Sequence, residues 1–592
     1  MAALMLVRDP DPLRRRARLA AAERAMRRFD LEVGSLEHGP IGLAWGAFAG
    51  APIQQAPGVF LMGDVIPGPG PERLTAPAYA ARCAGGEAPP AFDGLHLAIK
   101  FDTNGALTVA AELLGTLPVY VAEAGEALLV ATSPALIKAQ PDFTAAPDAL
   151  GIAGLLIANA SLRGRTPCHG IRRLGAGRAL VAAPGAAPRE VTQYAVSPSD
   201  ESHDVPAEES ALRLYEALIA ASARHVPAGV PHAMLLSGGL DSRLLAGILV
   251  AQGTKLEAIT RGDPADIEYR CARTVAAHLG LRQRLLPHTD HAFKQFERAI
   301  WWDGMIAGPA SGGSEGLGEV MPGAPPWIVS GYACDGTLGG TGMAKSFDRV
   351  TRTSSPAHLV RRMNAWGVAL DSLPRLLRRD MFEGSVETVL AEIREDHEAL
   401  AGTFLARTWL YELAHRQRFV MGRMFARLAF GGWPRAPQAD REVLRVTGGI
   451  PLSLRTGRGV QREMLRSFQP GLARLPLDRN DPDTTPMLAN VTDLIRAGID
   501  RRVRRLRERL GVPRPERRYY HRAFDFNGEA WRIARRGAEP DRERLYALFE
   551  RDAVDAMLPP AEVEWRPTGT IEGAAGVKML AALAVWLRVA FE

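Results

Sequence analysis

From about residue 42 to residue 196 the apolar positions come in short runs separated by glycine- and proline-rich turns, at 58–62, 95–102, 107–111, 118–121 and 127–132. Runs of this length bounded by turn residues predict strands, and their succession predicts an antiparallel, sandwich-like sheet system. Asn104-Gly105, between two runs, predicts a tight hairpin. A stretch rich in Pro, Ser, Asp and Glu at 197–208 reads as a linker, dividing the chain into expected domains of residues 1–200 and 208–592. Past the linker the period lengthens. Helices are expected at 209–223 and 266–280, with strands at 234–236, 256–260 and 327–330. Strands alternating with helices predict a parallel sheet that binds ligands at the carboxyl ends of its strands. Residues 355–430 read as helical, and the remainder as mostly helical with proline breaks.

The densest chemistry lies where the strand at 234–236 ends. Ser237-Gly238-Gly239-Leu240-Asp241-Ser242 runs straight into an apolar-periodic segment, the pattern of strand, tight loop and helix. Paired glycines let the backbone turn sharply and present successive N–H groups, and the following helix adds its partial positive end, so the loop suits phosphate oxygens. Ser237 and Ser242 supply hydroxyls, and Asp241 can hold a magnesium ion. No lysine closes the loop, so the Walker pattern fails and a different nucleotide chemistry is implied. A second glycine-rich strand end, Gly331-Tyr332-Ala333-Cys334-Asp335-Gly336-Thr337-Leu338-Gly339-Gly340, carries one carboxylate.

Composition narrows the class. With 592 residues, 47% hydrophobic and 23% charged, the chain is globular and too long for one ordinary core. No stretch reaches the roughly 18 uncharged apolar residues of a membrane span, and the last apolar helix is interrupted by Arg588. The apolar start is too short for a signal peptide, so a cytoplasmic protein without membrane partners is expected. Cys83, Cys168, Cys271 and Cys334 are scattered and form neither a zinc site nor a disulfide framework. The net charge of +6 is modest but uneven, with Arg501, Arg502, Arg504, Arg505, Arg507, Arg509, Arg514, Arg517 and Arg518 inside 496–522. Such a helix could meet nucleic acid, an anionic peptide or ATP phosphates, or, with Asp500 and Glu508 interleaved, form a solvated face.

Ser237 to Ser242 resembles the pyrophosphate loop of the ATP pyrophosphatases, which implies attack at the α-phosphate and an acyl-adenylate. Three further places continue a resemblance to the asparagine synthetases: Glu268, Ala272 and Ala276 on one helix, Ser330-Gly331 with Asp335, and Arg435, Pro437 and Asp440. The implied fold is α/β, an adenine-nucleotide α-hydrolase-like synthetase domain with a helical C-terminus behind a glutaminase-like, Ntn-type N-terminal domain. The latter resemblance rests on Phe101-Asp102, Leu114-Gly115-Thr116-Leu117-Pro118-Val119-Tyr120 and Ala131-Thr132-Ser133. A glutaminase of that type uses an exposed N-terminal cysteine. Here Met1-Ala2-Ala3 opens the sequence and Cys83 is the first cysteine, so the domain is expected to keep the fold without the hydrolysis.

At the second strand end the string looks more like the β-lactam synthetases. That likeness implies that Tyr332, working with a glutamate for which Glu412 is the candidate, deprotonates an amine for ring closure. The family's R-x-K lysine is replaced in Arg479-Asn480-Asp481, and an arginine of the basic helix is the expected substitute. The resemblance implies ATP and Mg²⁺ as cofactors, Asp241 and Asp335 as the metal carboxylates, and Ser237, Gly238, Gly239, Leu240, Asp241, Ser242 and Gly331 as the nucleotide-binding set. Lasso peptide cyclases fit best. The implied substrate is a precursor peptide whose Asp or Glu side chain is adenylated and joined to its N-terminal amine, and the implied partner is a leader peptidase. No nucleic-acid partner is expected. A β-lactam synthetase-like or glutamine-independent small-molecule amide synthetase is the alternative, and a non-catalytic scaffold is the rival from another class.

Overall fold

The computed structural model describes residues 3–84, 89–198, 205–287, 296–304, 323–339, 356–365, 367–479, 482–511, 525–565 and 571–591. Gly340, Asn480, Asp481, Arg514, Arg517 and Arg518 lie outside the described residues.

Among the described residues the strands form three sheets. The first is antiparallel in the order β10 (Arg172–Arg173), β8 (Tyr120–Ala124), β9 (Ala127–Ala131), β1 (Ala3–Arg8), β3 (Ile41–Ala47), β2 (Glu32–His38). The second, also antiparallel, runs β12 (Arg189–Thr192), β11 (Arg178–Ala182), β7 (Leu107–Ala111), β6 (His96–Phe101), β5 (Val59–Gly63), β4 (Ile53–Ala56). Their inner faces pack together, with Leu43 and Leu129 of one and Phe60, Ile99 and Val109 of the other in a single apolar cluster. Trp45 and Phe60 meet across the gap at 5.1 Å between centroids. The expected sandwich is therefore present. At the β6–β7 hairpin Asp102 Oδ1 accepts the N–H groups of Asn104 and Ala106, at 2.9 Å each, around Gly105 at φ 89°. The sequence reading missed β1, whose residues look like an unstructured apolar start and instead fill the middle of a sheet.

The third sheet is wholly parallel in the order β15 (Arg282–Pro287), β14 (Leu256–Gly262), β13 (His232–Leu235), β16 (Trp327–Val329), β17 (Trp433–Arg435). The helices Ala207–His225, Leu240–Ala251 and Ile267–His278 pack around it through a separate apolar cluster. Sheet and sandwich are not independent bodies. The apolar cluster of the sandwich continues through Trp302, Tyr332, Phe425 and Trp433 into the C-terminal helix Ile571–Phe591. Buried Trp433 donates its indole N–H to Leu95 O at 3.2 Å, and its ring lies where a Cβ on Gly63, at φ 104°, would come within 2.4 Å. Only glycine allows that approach.

The Arg435, Pro437, Asp440 motif serves this seam. Arg435 donates to Asp64 Oδ2 at 2.9 Å and to His232 Nε2 at 2.6 Å, and lies over the Trp327 ring at 3.9 Å. Arg441 clamps Asp93 through its backbone N–H at 2.8 Å and its guanidinium at 3.0 Å. Asp440 caps the helix Arg441–Gly449 and takes Arg224 at 2.7 Å and His225 at 3.0 Å. Burial alone would raise its carboxyl, but His225 and Arg224 overcome that and hold it at about 2.

The seam carries a pH sensitivity. His96 is lowered to about 4 by burial, and His232 to about 4 by burial and by Arg435, whose donated hydrogen bond requires an unprotonated Nε2. The unfolded chain takes up these protons near pH 6.5 and the folded chain only near 4, so stability is complete above 6.5 and lost as pH falls through that window. The loss is of order 1–3 kcal/mol per histidine. Melting temperature measured from pH 7.5 to 4.5 should fall, and His232→Gln should flatten the fall. An unchanged slope in that variant would exclude His232 as a source.

Candidate active site

Two carboxylates meet at the ends of neighbouring parallel strands. Ser237 to Gly239 follow β13 and lead into the helix Leu240–Ala251, capped by Gly239. Gly238 is buried so tightly that a Cβ there would lie 2.3 Å from Cys271 Cβ and 3.1 Å from Asp478 Cβ. Its carbonyl accepts Asp478 N–H at 3.0 Å and the fully buried Arg243 at 2.9 Å, which pins the turn from behind. Ser237 and Ser242 hydroxyls stand 2.9 Å apart, Ser237 N–H donates to Ser242 Oγ at 2.9 Å, and Gly239 N–H reaches Ser237 Oγ at 3.3 Å. Ser237 is exposed, with Gly239 and Asp241 half-buried. The loop is thus rigid behind and open in front, as a phosphate cradle needs to be.

Gly331, after β16, lies against Asp241, since a Cβ on it would sit 3.3 Å from Asp241 Cβ. The turn that follows puts Ala333 at φ 58° and delivers Asp335 to the first position of a π-helical turn, Asp335–Gly339. Asp241 is bonded by Arg458 Nη1 at 3.1 Å and Gln461 Nε2 at 2.7 Å, while Asp335 takes Arg416 at 3.1 Å. Burial pushes the Asp241 carboxyl up, Asp335's charge adds to this, and Arg458 and Gln461 oppose it. Arg458 itself sits at φ 62° beside Gly457, between two helices. Ala333 and Arg458 are thus two non-glycine residues in the left-handed region within one site, each at a cost of order 1 kcal/mol or more.

Arg458 and Gln461 were absent from the sequence expectations, and Arg416 figured there only as an ordinary i+4 partner of Glu412, which pairs with Arg362 instead. The expected substitute for the family lysine was an arginine of the basic helix, but the helix Val491–Arg509 buries only Ala497, and the cations against the two carboxylates come from elsewhere. No local motif flags them. In sequence Arg416 follows Glu412 at the spacing of an ordinary helical pair, and Arg458 follows a loop glycine.

Tyr332 and Glu412 are not assembled as the expected proton relay. The Tyr332 phenol is buried, donates to Gln417 O at 2.7 Å, lies 3.3 Å from Thr116 Oγ1 of the sandwich and stacks on Phe425 at 4.7 Å. Burial drives its pKa far upward. Glu412 pairs with Arg362 and is likewise raised by burial, against the pull of Arg362 and Arg416. The physical reason is the π-helix Leu413–Met421, which turns Arg416 towards Asp335, offers the Gln417 carbonyl to Tyr332 and sends Arg418 to Gly115 O at 3.1 Å. Wide helical turns of this kind occur often at functional sites.

Residues 213–476 match the asparagine synthase family. The asparagine synthase-like region therefore contains both strand ends, Arg416, Arg458 and Gln461, and the family is one of ATP-using, amide-forming ligases. Over 224 residues the chain is 28% identical to the protein named amidase chyE of Penicillium rubens, covering 34% of this chain. The chain spans about a third, 33%, of the length of that relative. Similar solved structures include the allosteric regulatory enzyme of purine biosynthesis, at 8% identity, TM-score 0.23, 48% of this chain and 80% of the other. Another is the glutamine phosphoribosylpyrophosphate amidotransferase of B. subtilis, at 10% identity, TM-score 0.22, 48% of this chain and 66% of the other.

Tyr332→Phe leaves the Gln417 carbonyl one donor short in a buried seam, an effect of about 1 kcal/mol. Its melting temperature should drop by a few degrees, and pyrophosphate release and product formation should fall together. Loss of product alone, with pyrophosphate release intact, would restore the phenol to a role in ring closure.

Proposed function

We propose that this chain is an ATP-dependent amide synthetase that activates a carboxylate as its adenylate and joins it to an amine carried by the substrate. The observation that carries the reading is the convergence of Asp241 and Asp335 beside an open Ser237–Gly239 cradle inside an asparagine synthase-like region. Displacement of pyrophosphate builds charge on the departing oxygens, and in this reading the N-terminus of the helix Leu240–Ala251, Arg458 and Arg416 stabilise it. Among the described residues no cluster of three or more His, Cys, Asp or Glu is arranged to hold a metal. Magnesium commonly needs only one or two carboxylates completed by substrate phosphates, and Asp241 with Asp335 fit that requirement. When bound there, the ion would neutralise the phosphates, while Arg458 and Arg416 exchange a carboxylate for a phosphate oxygen.

The nature of the nucleophile follows from the thiols. Cys83, Cys168, Cys271 and Cys334 are all buried, and burial raises each of them, Cys271 to about 11. A thiol so held is not the thiolate that glutamine hydrolysis needs. These thiols lend no support to glutamine hydrolysis, and we read the acceptor as an amine within the substrate. Within this reading we favour macrolactam closure of a precursor peptide by a lasso cyclase, with a leader peptidase as partner. A small-molecule β-lactam-type closure would use the same two carboxylates.

Asp241→Asn and Asp335→Asn should each reduce substrate-dependent pyrophosphate release by at least about a hundredfold, with melting temperatures close to the parent's. Arg458→Ala should weaken ATP affinity about ten- to a hundredfold, and Arg458→Lys should recover part of it. Near-normal release in both aspartate variants would sink the assignment. Incubation with glutamine should liberate no glutamate, and a positive result that persists in Cys83→Ala would reveal a nucleophile other than these thiols.

A further inference from the structure

The helix Val491–Arg509 buries little of itself. Of its nineteen residues only Ala497 is buried, and a capping box between Asn490 and Asp493 closes its first turn. Yet its sequence is strongly two-faced. Ile495, Ile499, Val503, Leu506 and Leu510 are between 43% and 68% exposed and recur at intervals of three and four, so they share one face. Ala497 stands two positions from both Ile495 and Ile499, which puts the buried side opposite the aliphatic one. Asp493, Asp500, Arg504 and Glu508 follow Ala497's spacing on that inner side. Arg502, Arg505 and Arg509 border the aliphatic face along one edge, and Arg496 and Arg507 along the other, all of them exposed.

We propose that this face docks on an anionic phospholipid surface, its aliphatic side chains entering the acyl boundary and its bordering arginines meeting the head groups. The charge pattern selects this occupant. Arginines on both borders with every acidic residue turned inward match a broad negative plane, and long cationic stems reach up from the edges of a buried apolar face. A second copy of the same helix would set arginine borders against each other, which argues against self-pairing. Among the described residues no helix is long and apolar enough to cross a membrane, but a helix lying in the interface needs no span. The expectation that the chain meets no membrane rested on the lack of a span. The sequence-level net charge of +6 adds long-range attraction to such a surface.

Flotation of the full-length protein with vesicles of equal parts phosphatidylglycerol and phosphatidylcholine tests this. The protein should float with these vesicles and stay behind with phosphatidylcholine alone. Ile499→Asp combined with Leu506→Asp should abolish flotation without lowering the melting temperature, since both side chains are exposed. Arg502→Gln and Arg505→Gln should each weaken it about fivefold, and raised salt should do the same. Equal recovery on both vesicle types, or retention in the double aspartate variant, would overturn the proposal. So would a concentration-dependent dimer that the aspartate variant dissolves without any flotation of the parent, which would give the face to a second copy. Binding to polyglutamate as strong as to anionic vesicles would give it instead to an acidic protein.

Discussion

Two carboxylates at the ends of adjacent parallel strands, half-sheltered from water, repel each other unless cations stand against them. That constraint organises the synthetase half. Arg458 answers Asp241 and Arg416 answers Asp335, and both arginines reach their places through backbone that ordinary helices do not provide: a left-handed residue between two helices and a π-helical run. A site built this way stores repulsion in the resting protein and can trade one anion for another without rebuilding its walls. Asp241 is also backed by Gln461, so removal of the arginine's hold does not leave the carboxylate unsolvated.

The two halves of the molecule share a seam more than a linker. Arg435, Arg441, Arg418 and Tyr332 all leave the synthetase half to bind atoms of the sandwich, at Asp64, Asp93, Gly115 and Thr116. The sandwich is thus tied to the two carboxylates by the same segment that supplies Arg416. The sandwich braces the π-helix Leu413–Met421, and through it the position of Asp335's partner.

Much of the fold was legible because it is periodic. Short apolar runs gave β5 to β9, the change of period located the parallel sheet, and the Ser237–Ser242 string placed the loop at a strand end, since glycine pairs and helix starts are local features. The losses were of another kind. The strand β1 hid because its pairing partners lie far away in sequence, and apolar residues at a chain start carry no turn signal. Arg416 and Arg458 hid because their importance depends on which carboxylate they reach across the fold. Tyr332 was assigned chemistry from a motif, whereas packing against Phe425 and the Gln417 carbonyl decides its environment.

The placement of β1 has a bearing on how the chain is made. Its residues pair with Ile41–Gly46 on one side and with Leu128–Ala131 on the other, and Leu4 N–H is satisfied by Thr132 Oγ1 at 2.9 Å. β1 can therefore pair with β3 early in synthesis, but its second edge stays unpaired until more than a hundred further residues have followed. At typical rates of about 5–20 residues per second that is an interval of several seconds. Throughout it, a largely apolar strand offers an open edge to any other nascent chain. Arg14 and Arg18, on the helix that follows, both grip Asp9 at the end of β1. Those contacts form locally and give the young strand charged company before its true neighbour arrives.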